Sequence, residues 1–143
     1  LGFVVYAEGR FKAPLLPGVW VFSIPGLEQP LRVEGLKQHL ELRSPEPGCP
    51  LRIKMPTHPR EVVIVRGDVS SLVREGLGML TGYHAMAPSD ELVSPDPVCG
   101  PVTLLARYGA KTEVVVVEVR GADTVVVLDP SRAVALPQFA EPE

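Results

Sequence analysis

Two valine-rich segments, 112–119 and 124–128, flank Arg120-Gly121-Ala122-Asp123, and this block constrains the fold more than any other part of the chain. β-Branched side chains are stiff at χ1 and pack well on a pleated surface, so both segments read as strands. A two-residue loop with glycine first fits a type II′ turn. That predicts a hairpin with Arg120 opposite Asp123, Val117 opposite Val126 and a positive φ at Gly121. Near-continuous valine, in place of strict alternation, implies that both faces of the ribbon are covered. The ribbon is therefore expected to be central in a sheet or to lie at an interface.

Further strands are expected at 2–6 and 18–24, separated by a loop carrying Pro14 and Pro17. Residues 39–43 and 51–55 each alternate apolar and polar, and the Ser44-Pro45-Glu46-Pro47-Gly48-Cys49-Pro50 connection is turn chemistry throughout, which predicts a second hairpin. The competing assignment there is a short helix with Val33, Leu36 and Leu40 on one side. Glu61-Val62-Val63-Ile64-Val65-Arg66 reads as a mostly buried strand that ends at Gly67. Asp68 then caps a helix over 69–80, whose apolar side is Val69, Leu72, Val73, Leu77 and Leu80. Gly76 and Gly78 each weaken that helix by about 1 kcal/mol relative to alanine. Residues 81–100 have no period and read as a long loop, of the kind that more often serves a function than not. Pro101 at a first helical position and Gly109 beyond the end suggest a second short helix over 101–108.

Length and composition bound what these elements can build. At 143 residues, with 45% hydrophobic and 22% charged side chains, one globular domain is expected, spanning 1–143 with a frayed tail from about 137. The expected class is α+β, a mainly antiparallel or mixed sheet with one or two short helices. The longest aliphatic run, 114–117, cannot span a bilayer, and Leu1-Gly2-Phe3-Val4-Val5-Tyr6 lacks a signal peptide's basic region. Without an initiator Met this end reads as trimmed, and the default expectation is a cytoplasmic protein away from membranes. There is no Asn, Arg outnumbers Lys ten to four, and there are 16 Pro, a pattern shared by thermophilic proteins and GC-rich genomes.

Charge is uneven. Residues 1–60 hold eight Lys/Arg against five Asp/Glu, whereas 61–143 hold six against twelve. Five of the eight aromatics lie in the first 22 residues, so Arg10, Lys12, Trp20 and Phe22 supply the parts of a stacking platform for a single-stranded nucleic acid. The structural reading of the same residues is a core face with solvated basic side chains on its rim, and it is preferred.

No motif carries a definite chemistry. A phosphate-binding loop needs a Gly-Lys pair, which does not occur. Gly76, Gly78 and Gly82 lie inside or after the expected helix, the wrong place for a dinucleotide loop. His39, His58, His84, Cys49 and Cys99 have no zinc-ligand spacing, so neither metal nor cofactor is expected. Asp96-Pro97-Val98-Cys99-Gly100 resembles the opening of the small YHS-type metal-handling domains over five residues, but that family's later cysteine pair is absent and no role transfers. Cys49 and Cys99 both sit in Pro/Gly turns, and two unlinked thiols are expected over a disulfide. His58, between Pro56 and Pro59, has no partner visible in the sequence. The 81–100 loop offers His84, Asp90 and Cys99 as candidate catalytic residues, with Tyr83 beside Arg10 and Lys12 as candidate binding residues. The preferred function is a non-catalytic interaction module that self-associates as a homodimer through its valine ribbon. The alternatives are a nucleic-acid binder on the N-terminal half and a small hydrolase on the 81–100 loop.

Overall fold

The computed structural model describes residues 15–24, 27–34, 40–43, 46–75, 83–86, 90–94, 99–121 and 123–136, and the structural statements that follow concern these. They form three sheets and one α-helix, a mostly β architecture. Strands β1 (Gly18–Ile24) and β2 (Leu27–Val33) make an antiparallel hairpin. Strands β3 (Leu51–Lys54), β4 (Glu61–Arg66), β5 (Tyr83–Met86), β6 (Glu91–Val93), β7 (Gly100–Tyr108), β8 (Lys111–Val119) and β9 (Thr124–Val127) complete the set. Sheet I has the order β5-β4-β7-β8 and is antiparallel; sheet II has the order β6-β3-β9, with β3 and β9 parallel. Helix α1 is Ser70–Arg74, and a 3-10 turn follows at Pro130–Arg132. No described helix is long and apolar enough to cross a membrane.

Sheet I packs against other parts of this chain on both faces, except at edge strand β8, where Val116 is exposed. Its alternate residues Val62, Ile64, Val102, Leu104, Ala106 and Val119 meet Leu51, Ile53 and Met55 of the sheet II side in one core. The opposite set, Val63, Val65 and Leu105, packs with Val69, Val73 and Leu136 in a second core. The unbroken valines and leucines of these strands follow from that two-sided burial.

Several sequence expectations change here. Residues 101–108 form strand β7, not a helix, because nine residues pair with β8 across Gly109-Ala110 while β4 takes the other side. Pro101 is tolerated because β4 pairs only as far as Val102, so no ladder bond from its nitrogen is missed there. With β8 satisfied by β7, the 112–128 hairpin does not form: β9 crosses to sheet II and pairs with β3. Gly121 does have φ +65°, but it serves a connection between sheets, closed where Thr124 Oγ1 accepts from Arg120 N and donates to Arg120 O. Residues 40–43 are not a strand, so the 39–43/51–55 hairpin is replaced by β3 lying between β6 and β9. The 81–100 segment is not one loop, since it contributes β5 and β6. Strand β2, missed because Gln29-Pro30 interrupts its pattern, pairs Pro30 with Val21 at the edge of a two-stranded sheet.

The strands expected at 18–24 and 61–66 are present; the helix N-cap is Val69, not Asp68 as expected, and Asp68 Oδ1, one residue earlier, accepts from Ser70 N at 3.1 Å. The strand expected at 2–6, the C-terminal part of the 69–80 helix and the tail from 137 lie outside the described residues. Thr103, fully buried, closes the bend between β4 and α1: its hydroxyl donates to Gly67 O at 2.7 Å and accepts from Val69 N at 3.0 Å. Gly67 has φ +114°, and a Cβ there would run into the Glu28 carbonyl, so glycine lets the β1–β2 hairpin rest on this corner.

Cys49 and Cys99 form a disulfide with their Cα atoms 4.8 Å apart, correcting the expectation of free thiols. Two turn segments 50 positions apart in sequence become neighbours because β3 and β7 start side by side in the two sheets, where Cys99 N also donates to Glu46 O at 2.7 Å.

Candidate interaction surface

The residues singled out in the sequence do not assemble into one site. Cys99 is a disulfide sulfur and supplies no thiolate nucleophile. His84 lies in β5 opposite Val63, whereas Asp90 precedes β6 in the other sheet. Asp90 is instead the partner of His58: Nε2 lies 2.5 Å from Oδ1, on an exposed surface held by Pro56, Pro59 and the Met55 N to Asp90 O hydrogen bond. Tyr83 is placed beside Ile64 by its backbone, and Arg10 and Lys12 lie outside the described residues. Trp20 is half-buried, and its indole N–H donates to Leu16 O at 2.9 Å, so its edge is engaged within the hairpin. Among the described residues no group of three His, Cys, Asp or Glu could hold a metal ion.

The surface that does stand out is the outer face of sheet II. Strand alternation turns Leu92, Ile53 and Val126 inward to the core and sends their neighbours out. Register then aligns Val93, Arg52 and Val125 in one row and Glu91, Lys54 and Val127 in the next. Val93, Val125 and Val127 are 56%, 45% and 50% exposed, high for a β-branched residue in a sheet. Arg52 lies 3.4 Å from Glu91 and 3.9 Å from Asp123, so the charged side chains frame the valines. The valine ribbon is thus divided: Val115, Val117, Val119 and Val126 pack between the sheets, Val116 is exposed on the α1 side of sheet I, and Val125 and Val127 face out of sheet II.

A buried polar cluster holds the rim of this face. The Glu113 side chain has no exposed surface; Oε1 accepts from Asp129 N at 2.9 Å and from Tyr108 Oη at 3.3 Å. Arg132 Nη2 lies 2.8 Å from Glu113 Oε2 and donates to Val127 O at 2.8 Å, too skewed toward the carboxylate for a hydrogen bond but close enough for charge attraction. Leu128 N donates to Lys54 O, so the backbone groups of Val125 and Val127 point to the other side, and Arg132 covers one of the edge carbonyls. Burial raises the Glu113 carboxyl above the ordinary range, partly offset by the Asp129 amide and Arg132. Burial and the Glu113 charge push the Tyr108 hydroxyl up to about 12, and the Ser131 amide and hydroxyl hold Asp129 below its usual value. The outward Val125 and Val127 are not visible in the sequence, where near-continuous valine hides the alternation that β9 adopts. Neither are the neighbours that make the face, because β3 and β6 reach it from distant positions. Compared with protein-family models, with curated proteins and with solved structures, the chain matches none.

Proposed function

We propose that this chain is a non-catalytic interaction module that associates with a second copy of itself through the outer face of sheet II. The observation that carries the reading is the exposed trio Val93, Val125 and Val127, set in register between charged side chains of both signs. A face bearing both acidic Glu91, paired with Arg52 of its own copy, and basic Lys54 carries both signs, so two copies related by a two-fold axis can meet with opposite charges facing. The valines supply the apolar centre, at roughly 25 cal/mol for each Å² removed from water. Three short strands span on the order of 200 Å², well below the roughly 800 Å² per partner of a stable complex. Association through this face alone is therefore weak and concentration-dependent.

Sedimentation of the wild-type chain from micromolar to millimolar concentration tests it. The average mass should rise above 15.4 kDa as concentration increases. A Val125→Lys/Val127→Lys variant should hold at the monomer mass with its melting temperature little changed, because both side chains already face water. Wild-type protein that never leaves the monomer mass, or a double variant that associates equally well, defeats the proposal.

A further inference from the structure

We propose that residues 129–136 form a strap over the edge of β8 that the protonation state of Glu113 locks or releases. The inference goes beyond the association reading and does not depend on it. The chain leaves sheet II at Leu128, buried in the first core, and reaches the second core at Leu136. Between the two it must round the edge of sheet I, and it does so at Thr112. There Thr112 N donates to Val134 O at 2.8 Å and Val134 N donates to Thr112 O at 2.9 Å. This bridge is isolated, so among the described residues backbone pairing fastens the strap to β8 at one point.

Beside that point lies Glu113, whose carboxyl has no exposed surface. The titratable and charged groups facing it among the described residues are Tyr108 from β7 and Asp129 and Arg132 from the strap. Oε1 accepts from the Tyr108 hydroxyl and the Asp129 amide, whereas Oε2 is buried without a hydrogen bond. Arg132, the cation beside it, is half exposed and also donates to Val127 O. A protonated carboxyl tolerates such a seat. An anion there loses hydration that one half-exposed guanidinium does not replace. Lifting the strap removes the Asp129 and Arg132 contacts and admits water, so ionisation favours the open form. Burial raises the carboxyl above its ordinary range even with Arg132 beside it, which agrees with that direction. The closed form holds the proton more tightly, so opening increases as pH rises from 4.5 and levels off once the closed form has ionised too. Asp129 ionises below this window and Tyr108 well above it, so neither supplies the step.

Amide hydrogen exchange, read residue by residue from about pH 4 to about pH 8, tests the strap. With the intrinsic pH dependence of exchange removed, the Thr112 and Val134 amides should open roughly tenfold or more as often as the Leu104 amide in the middle of β7, because a local opening leaves the cores shut. Their opening constant should rise with pH by at most about tenfold per unit, the limit for one proton, and then level off. Glu113→Gln should abolish the rise. Should that variant fold poorly, Arg132→Gln gives a second reading: with its cation gone the carboxylate is harder to bury, and the rise should exceed that of wild type. Thr112 and Val134 amides that exchange only together with Leu104 overturn the strap as a separate unit. A rise that Glu113→Gln leaves in place, or that Arg132→Gln does not enlarge, overturns Glu113 as its lock.

Discussion

Glu113 shows how one residue can set a response of the whole fold. Its carboxyl titrates above 4.5 in the folded protein because burial disfavours the anion. Between the unfolded value near 4.5 and the raised folded value, the native state holds more protons, so stability falls as pH rises through that window. Asp129 acts oppositely and lower: its depressed value contributes stability above 3.8 that is lost as pH falls further. Tyr108 adds an alkaline limb, since stability declines from pH 10 towards about 12 as the unfolded chain ionises first. Urea midpoints measured against pH should show the Glu113 decline in wild type, and Glu113→Gln should flatten it and also weaken the Tyr108 limb, leaving the part due to burial. Gly121 makes a purely backbone case. A Cβ there meets nothing within 4 Å, but φ is +65°, so Gly121→Val should lower stability by roughly 1–2 kcal/mol through strain alone. A melting temperature equal to wild type would contradict that backbone assignment.

Among the elements, two Gly-Ala pairs compete for the same role. Tyr108-Gly109-Ala110-Lys111 and Arg120-Gly121-Ala122-Asp123 both offer hairpin chemistry, and Gly109 and Gly121 have φ +67° and +65°. The first becomes the hairpin because β7 and β8 pair over nine residues each, with β7 buried on both faces over its centre. The second joins strands whose partners lie in other places. Local turn chemistry was therefore legible while strand partnership was not. The disulfide acts at the same scale. Closing a loop of 50 residues removes about 4 kcal/mol of denatured-state freedom in the chain-entropy model. Cys49→Ala/Cys99→Ala is expected to lose stability of that order in urea unfolding, with the sheet II association surviving wherever the chain stays folded. A loss under about 1 kcal/mol would mean that the bridge only joins segments already fixed by packing.

At the level of the whole molecule, the two sheets face each other across a core in which sheet I and sheet II both contribute, and α1 closes the far side. β8 and β9 are edge strands, not central ones, and Val116 stays exposed while Val114, Val115 and Val117 are only partly buried, so the continuous, covered valine ribbon expected from the sequence does not form. What survives is a smaller face on sheet II, reached from the sequence only after β3, β6 and β9 are set side by side. Val126→Lys would therefore damage the core, whereas Val125 and Val127 are the positions that report on association.

The sequence by itself determined the mostly β character, the strands at 18–24 and 61–66 and the positive φ of Gly121. These depend on side-chain branching, alternation and backbone sterics, which act within a few residues. Tertiary structure alone decided that 101–108 is a strand, that β9 pairs with β3 across 73 positions (Leu51 with Thr124), that Cys49 meets Cys99, and that His58 meets Asp90. Each of those outcomes is a contact between distant segments, and its energy depends on which partner completes a ladder or fills a core. No local pattern encodes that choice, because every strand here could pair with several others until the two sheets close on one another.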